Sequence, residues 1–343
     1  MTDDPMPRRP VASREGVRYP ADNEPHRHKN AGSRICDEGS VAGMDRLPFA
    51  QPGRFWRGNL HTHSTCSDGR KTPDEVVSAY REQGYDFIAL TDHFLERFGF
   101  PITDTRHFRD ERFTTLLGAE LHAPALSNGE PWHLVAVGLP LDFAPTSSTE
   151  TGPELAARAA DAGAFVGLAH PAWYSLTLAD ALLVEAAHAV EVYNHTTANH
   201  NDRGESWYLS DQLEENGRRL LAYAADDTHF SDRPDSFGAW VMVRAPELTP
   251  ESLLSALKAG HFYSSQGPEL RDVRIEGNSL YVSCSPASVI FISGRGSRAA
   301  HVRGEGLTEA EFPLDRFLDS YCRVTVLDAE GKRAWTNPIR FAP

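Results

Sequence analysis

Between residues 54 and 265, short apolar segments alternate with amphipathic helical segments, and most of the apolar segments end in a His, Asp or Glu. This β-then-α alternation predicts a mixed α/β fold with a parallel layer or barrel. In such folds the carboxyl ends of the strands share one face, where active sites lie. We therefore expect a cluster of imidazoles and carboxylates at that face. The apolar segments run into Asp92-His93, Glu120, His170, Asn194-His195 and residues 226–229.

The segment 59–69 carries two histidines separated by one residue, directly after apolar residues that predict a strand. On a strand, alternation places His61 and His63 on the same side, where both rings can bind one metal ion. His26 and His28 have the same spacing but lie in a polar stretch, so we interpret them as solvated. The spacing therefore indicates a ligand pair only where a strand ends.

The polar strand ends supply more candidate metal ligands than one ion needs. Burying so many ionisable groups without a cation would cost several kcal/mol for each unpaired charge, which is comparable with the stability of a domain. The number of donors predicts two to three divalent ions that share a carboxylate, and imidazole with carboxylate but no thiolate fits Zn, Mn or Fe. The candidates are His61, His63, Asp68, His93, Glu120, His133, His170, Asp227 and His229.

Composition excludes several other classes of protein. The chain has 343 residues with 34 basic and 48 acidic side chains, a net charge of -14, which argues against nonspecific binding of nucleic acid. The four cysteines are scattered, so neither a zinc ribbon nor a disulfide framework is expected. No apolar run predicts a membrane span, and no secretory signal is recognised, so a cytoplasmic location is expected by default. We expect a small-molecule substrate, and the sequence leaves the oligomeric state open.

The composition and the hydrophobic periodicity of the sequence predict three regions. Residues 1–50 are polar and without apolar periodicity, which predicts a disordered tail. Residues 54–265 carry the alternating strands and helices, including a helix that begins after Thr72 and another over 202–216. Residues 266–343 contain short strand-like segments between turns, which predicts a small, sandwich-like all-β domain.

The order and spacing of these motifs resemble the polymerase and histidinol phosphatase (PHP) family of metal-dependent hydrolases. The resemblance covers residues 54–265 and rests on 60–69, 88–93, Glu120, His170-Pro171 and 227–229. Within the family the chain most resembles a branch that has a C-terminal β-domain and includes a carbamate-insecticide (carbaryl) hydrolase, on the basis of residues 56–60 and 335–339. The resemblance implies a distorted (β/α)7 barrel.

The resemblance also implies how the candidate ligands divide among up to three ions. The first ion would be bound by His61, His63, Glu120 and Asp227. The second would share Glu120 and add His133 and His170, and the third would be bound by Asp68, His93 and His229.

The expected chemistry is hydrolysis by a metal-bridging hydroxide, because bound cations lower the pKa of water. The hydroxide would attack phosphorus or a carbonyl carbon, with Asp227 in the catalytic centre. His195 is either the group that protonates the leaving group or a loop histidine bonded to backbone. Asp92, Asp226 and Glu191 are expected to orient the histidine ligands.

Three functions remain open from the sequence. The leading one is a phosphoesterase for a small phosphomonoester or phosphodiester, in which Arg203 and Arg97, or also Arg106 and Arg233, bind the phosphate; each is otherwise an ordinary surface arginine. The second is a carbamate, ester or amide hydrolase with an aromatic pocket. The third is a non-catalytic, metal-stabilised binding module.

Overall fold

The computed structural model describes residues 47–341 of the chain. The predicted tail up to residue 46, with His26 and His28, lies outside the described residues. The last part of that predicted tail forms one 3-10 turn at Pro48–Ala50. Within the described part, no helix combines the length and the apolar character needed to cross a membrane.

The fold is a mixed α/β structure of 16 strands and six α-helices in the described residues. The helices are α1 (Pro73–Glu82), α2 (Gly152–Asp161), α3 (Leu178–Leu183), α4 (His195–Asn201), α5 (Trp207–Glu215) and α6 (Pro250–Ala259). The strands up to residue 265 are β1 (Arg54–Asn59), β2 (Phe87–Leu90), β3 (His93–Phe94), β4 (Thr114–Ala123), β5 (Trp132–Val137), β6 (Phe165–Leu168), β7 (Ala189–Asn194), β8 (Leu221–Ala225), β9 (Trp240–Ala245) and β10 (Phe262–Ser265). The later strands are β11 (Leu270–Glu276), β12 (Ser279–Gly294), β13 (Ala299–Pro313), β14 (Tyr321–Leu327), β15 (Arg333–Thr336) and β16 (Ile339–Arg340).

Seven strands follow one another in the order β1-β2-β4-β5-β6-β7-β8. Most neighbours in this series are parallel, but β5 is antiparallel to both β4 and β6, because a short loop without a helix joins β4 to β5. The chain just past β1 meets the chain just past β8: the N–H of His63 donates to the carbonyl of Thr228 at 2.9 Å, and the N–H of Asp227 donates to the carbonyl of His61 at 3.0 Å. The two ends of the series therefore converge where the polar residues lie.

Local sequence signals account for the helix boundaries with one correction. Helix α1 begins after Thr72 as predicted, and the structure adds a capping box between Thr72 and Glu75. The predicted helix over 202–216 is wrong in its first part, because α4 ends at Asn201, the following Asp202 has a left-handed φ of 62°, and α5 begins only at Trp207. Gly204 lies in the intervening turn, where a Cβ would come within 2.5 Å of the Ala198 Cβ. This close approach requires glycine and interrupts the helix.

The strands after residue 266 continue the same sheet. Strand β10 pairs with β9 on one side and with β15 on the other, both antiparallel. The strands β11, β12 and β14 bury one apolar cluster, which also includes Leu47 and Tyr263. A second cluster, with Leu60, Phe87 and Tyr223 among its buried members, lies beneath the converging strand ends. Strands β4 to β8 contribute alternate residues to this cluster and to a third buried cluster, so the strands that carry the polar site bury apolar residues on both faces.

Candidate metal centre

Two histidines follow β1 and project to the same side of an extended segment. Alternation places His61 and His63 on one face and Thr62 on the other. The N–H of Thr62 donates to the Thr91 hydroxyl at 3.0 Å, and the amide of Asn59 donates to the carbonyl of His61 at 2.8 Å. These bonds keep the segment extended, so that the two rings lie 5.2 Å apart, centroid to centroid.

The loop that follows the two histidines turns back towards the same centre. The Asp92 carboxylate accepts hydrogen bonds from the backbone N–H of Ser64 at 2.7 Å and from the hydroxyl of Ser67 at 2.7 Å. At Gly69 a Cβ would come within 2.7 Å of the His63 carbonyl carbon and the Ser64 nitrogen, so only glycine fits. The turn brings Asp68 to the edge of the cluster.

Four fully or almost fully buried side chains form an inner group. Nε2 of His61 lies 3.5 Å from Oε2 of Glu120 and 3.2 Å from Oδ1 of Asp227. Nε2 of His63 lies 3.5 Å and 3.0 Å from the same two oxygens. Both imidazole nitrogens thus lie within 3.5 Å of both carboxylate oxygens. The donor atoms of His61, His63 and Glu120 are close enough to one another to share one cation, and His61 also groups with His170 and Asp227.

The other oxygen of Glu120 faces a second pair of histidines. Oε1 of Glu120 lies 2.7 Å from Nδ1 of His133 and 3.1 Å from Nε2 of His170. Strand β5 begins at Trp132 and pairs His133 with His122 of β4. Glu120 therefore stands between two groups of donors.

A third group lies nearer to the surface. Oδ1 of Asp68 lies 3.4 Å from Nε2 of His93 and 3.3 Å from Nε2 of His229. The ring of His63 is adjacent, with its centroid 4.3 Å from that of His93 and 4.2 Å from that of His229. The structure thus brings together all nine side chains that the sequence analysis named as candidate ligands.

One donor was missed by the sequence analysis. His122 is buried, its Nε2 lies 2.8 Å from Nδ1 of His93, and it groups with His93 and Glu120. Glu120 and His122 are two residues apart on β4 and so share a face. The sequence analysis treated Glu120 as the end of its apolar segment, whereas β4 continues to Ala123.

The donor atoms fit a metal better than they fit each other. Nε2 of His61 and Oε2 of Glu120 are fully buried and have no hydrogen-bond partner. Among residues 47–341, the only ionic partners of Glu120 and Asp227 are histidines, and no lysine or arginine forms an ion pair with either carboxylate. Buried polar atoms without partners lower the stability of the fold. A divalent cation would bind the imidazole nitrogen and the carboxylate oxygen at once.

The charges within the cluster also favour the binding of a cation. Burial alone would raise the pKa of Glu120, but the neighbouring histidines His93 and His122 outweigh it and hold that pKa well below its usual range. Burial alone would lower the pKa of His93, but the carboxylates of Glu120 and Asp68 raise it to about 10. The carboxylates thus strongly favour positive charge among them, which protons supply in the metal-free chain and divalent cations would supply on binding.

Two of the donors have a strained backbone. His170 has a φ of 24° and Asp227 a φ of 56°, in the left-handed region that costs on the order of 1–3 kcal/mol for residues other than glycine. Hydrogen bonds hold both in place: the N–H of His170 donates to Oε2 of Glu191 at 2.6 Å, and that of Asp227 donates to the carbonyl of His61. Such strain is typical of positions whose side chains must be aimed at a functional centre.

The three expected orienting carboxylates differ in what they hold. Glu191 contacts a ligand directly, with Oε1 3.1 Å from Nδ1 of His61. Asp92 binds the serines of the loop that follows His63, and Asp226 accepts bonds from Tyr80 and from three backbone N–H groups at 237–239. The last two therefore fix backbone segments, and neither touches a histidine ligand.

His195 lies away from the donor cluster. It opens α4, and its Nδ1 is 3.3 Å from the hydroxyl of Tyr193, while the amide of Asn199 lies 3.3 Å from its Nε2. Its ring packs against Gly238 and does not line the cavity over the cluster. The geometry agrees with the alternative of a structural histidine and gives no support to a role in protonating a leaving group.

A cavity of about 670 Å³ lies directly over the donor cluster. Arg97 and Arg233 line it, whereas Arg106 binds Asp104 and Arg203 donates to the carbonyl of Trp173 at 3.3 Å outside it. Arg233 contacts His200. Within the described residues, Arg97 has no carboxylate partner and packs only over Phe98, so its charge is free to face a ligand.

Comparison with known protein families gives a match over part of the chain. The model of the PHP domain family matches residues 59–198, a range that holds seven of the nine predicted donors and ends before Asp227 and His229. No curated protein matches the chain.

Solved structures match the chain at low sequence identity. A two-domain protein from Bacteroides vulgatus, containing a predicted PHP-like metal-dependent phosphoesterase, is 15% identical with a TM-score of 0.49, covering 87% of this chain and 96% of that one. A proposed metal-dependent phosphoesterase from Bifidobacterium adolescentis is 16% identical with a TM-score of 0.38, covering 59% and 96%. An amidohydrolase from Chromobacterium violaceum, with bound sulfate and no metal, is 15% identical with a TM-score of 0.35, covering 50% and 87%. These values are too low to carry chemistry from those proteins to this chain.

Proposed function

We propose that this chain is a metal-dependent hydrolase that cleaves a small phosphomonoester or phosphodiester. The observation that carries the proposal is the position of Glu120 and Asp227: two buried carboxylates whose ionic partners among residues 47–341 are all histidines. Such an assembly of imidazole and carboxylate donors is typical of sites for Zn, Mn or Fe. The PHP match over residues 59–198 supports the same assignment.

In this proposal the donors hold two to three divalent ions. His61, His63, Glu120 and Asp227 hold the first; Glu120, His133 and His170 hold the second; Asp68, His93 and His229 hold the third, with His122 beside it. The seven strands from β1 to β8 correspond to a distorted (β/α)7 barrel, and the strands from β11 onward correspond to a C-terminal β-domain.

Bound divalent cations would supply an activated water at neutral pH and offset the charge that develops on the substrate. The chain itself contributes orientation. Glu191 fixes the ring of His61, and the amide of Asn194 donates to both Glu191 at 3.0 Å and Asp227 at 3.1 Å. Such outer contacts set the direction in which each donor points.

Phosphate esters are favoured over neutral substrates because of the charge that surrounds the cavity. Arg97 lines it without a carboxylate partner among the described residues, and Arg233 and Arg70 also line it, although Arg70 is paired with Asp232. An anionic phosphoryl group would be attracted by these guanidinium groups as well as by the cations. We therefore propose Arg97, and not Arg203, as the arginine that contacts the substrate.

A carbamate, ester or amide hydrolase is the second candidate. It is favoured by the apolar part of the cavity wall, formed by Leu95, Pro131 and Trp173. Such a wall suits the uncharged body of an aryl or alkyl substrate. The same cluster of donors would serve either reaction.

The decisive experiment is turnover of the Mn- or Zn-loaded protein on aryl phosphomonoesters, phosphodiesters and carbamates. Asp227→Asn tests the cluster, and Asp161→Asn, at the exposed end of α2, is the matched control. Cleavage of phosphate esters by the wild type and Asp161→Asn, but not by Asp227→Asn, is the expected result. Cleavage of carbamates alone would favour the second candidate. Full metal binding without any turnover would favour a non-catalytic, metal-stabilised module.

A further inference from the structure

A second cavity, of about 330 Å³, lies at the opposite end of the strands from the donor cluster. His188, which precedes β7, and Leu221, which begins β8, line it. The donor cluster is at the other end of these strands, where Asn194 ends β7 and Asp227 follows β8. The two cavities are therefore separated by the length of the strands.

The lining of this second cavity is basic. Arg219, Lys258 and Arg340 line it together with His188, and none of the Asp or Glu residues that the structure describes does. Arg340 is neutralised by Glu214, at 2.7 Å. Within residues 47–341, Lys258 donates to the carbonyl of Gly163 and has no carboxylate partner, and Arg219 has none either. Two uncompensated cations in one cavity are notable in a chain whose net charge is -14.

The remaining lining adds a hydrogen-bond donor and an apolar wall. The N–H of Val166 donates to Nδ1 of His188 at 3.1 Å, so the proton of the neutral ring is on Nε2. Burial and the charge of Lys258 lower the pKa of this histidine, which favours that neutral form. On another side the cavity is closed by Pro338 and Ile339.

We propose that this cavity binds a small organic phosphate, with its dianionic group between Arg219 and Lys258 and its apolar part against Pro338 and Ile339. Two cations match the charge of a phosphoryl dianion, and charge-assisted hydrogen bonds are the strong ones in such sites. The volume exceeds that of a lone phosphate and suits a small ligand with an organic body. The proposal does not depend on the reaction at the donor cluster.

The test is a calorimetric titration of the full-length, metal-loaded protein with phenylphosphonate, whose carbon–phosphorus bond a phosphoesterase does not hydrolyse. Three proteins are compared: the wild type, the double variant Arg219→Gln/Lys258→Gln, and Arg316→Gln, an exposed arginine outside the cavity. The double variant is expected to bind about tenfold more weakly or worse, while Arg316→Gln binds like the wild type. Because Arg219 is exposed, the single variant Arg219→Gln is a second test that does not endanger folding.

Binding at the donor cluster is distinguished by repeating the titration after treatment with a chelator. Binding at the basic cavity does not require metal. The phenylphosphonate binding that is lost in the double variant must therefore be retained by the wild type after chelation. Loss of that binding on chelation, or its persistence in the double variant, overturns the proposal. Inorganic phosphate should bind more weakly than phenylphosphonate, and equal affinity would overturn the role of the apolar wall. A failure here leaves the proposed hydrolase untouched, since that is tested by turnover.

Discussion

Oε1 of Glu191 lies 3.1 Å from Nδ1 of His61, and both side chains are completely buried. The other oxygen of Glu191 accepts a bond from the backbone N–H of His170 at 2.6 Å. One carboxylate thus fixes the ring of one candidate ligand and the backbone of another. This relationship sets the tautomer of His61, since a ring that donates from Nδ1 presents an unprotonated Nε2 to a metal.

Replacing Glu191 should weaken metal binding. We expect Glu191→Gln to lower metal affinity by roughly 10–100-fold, because the amide cannot hold the imidazole of His61 and the N–H of His170 with the same charge. Metal content after dialysis against a calibrated metal buffer measures the effect. Glu185→Gln, an exposed site, is the matched control, and equal metal content in the two variants would refute the role of Glu191.

Removing metal should destabilise the fold. Ligands that bind only the folded state stabilise it by mass action, so chelation is expected to lower the melting temperature by about 5 °C or more. Without metal, only protons on the neighbouring histidines can offset the negative charges of the Glu120 and Asp227 carboxylates. A chelator already saturated with the same metal is the control, and an unchanged melting temperature would contradict a metal-stabilised cluster.

We expect His122 to contribute to turnover although it lies outside the sequence motifs. We expect His122→Ala to lower turnover on the order of tenfold, because His93 loses a contact of 2.8 Å and the group with Glu120 loses a donor. Steady-state kinetics together with metal counts per chain measure this. His107→Ala, at an exposed position, should behave as wild type, and identical kinetics in both variants would remove His122 from the site.

The turn at Gly69 should be intolerant of a side chain. In Gly69→Ala the new Cβ meets the backbone of His63 and Ser64 at 2.7 Å, so the loop that carries Asp68 must shift. We expect a loss of metal as well as about 1–2 kcal/mol of stability. Gly84 also has a φ of 74°, but an added Cβ there would meet no atom within 4 Å. Gly84→Ala should therefore lower the stability by a comparable amount while metal is retained. Retention of metal in both variants would show that the loop can adapt.

Arg97 should bind the substrate and Arg203 should not. Arg97→Gln is expected to raise KM for a phosphate ester about tenfold with a smaller change in kcat, through the loss of a charge-assisted contact. Arg203→Gln should have unchanged kinetics, because this arginine donates to the carbonyl of Trp173 outside the cavity. The reverse pattern would assign the phosphate contact to Arg203.

The donor set was predictable because strand periodicity constrains direction. Once residues 88–90 and 221–225 are assigned to buried strands, His93 and Asp227 must emerge at the same end. The same rule, applied to every second residue, would have found His122. The break between α4 and α5 could not be predicted from the sequence, because only the close approach of Gly204 to Ala198 in the folded chain requires it.

The roles of His195 and the arginines could not be read from sequence. Whether His195 faces the cluster depends on how α4 packs against Gly238, which is a tertiary contact. Arg97, Arg106 and Arg203 all follow candidate ligand strands, and only the surrounding partners separate them. Long side chains can reach several places from one backbone position, so their direction is set by the assembled structure.

The meeting of the chain past β1 with the chain past β8 has a consequence for assembly during synthesis. His63 and Asp227 are 164 positions apart, so their contact is strongly non-local. Such contacts form late, because a long loop must close first. A nascent chain that has emerged only to residue 198 lacks Asp227 of the inner group and His229 of the third group, so it can complete neither. Metal loading therefore reports that nearly the whole α/β part has been synthesised and folded.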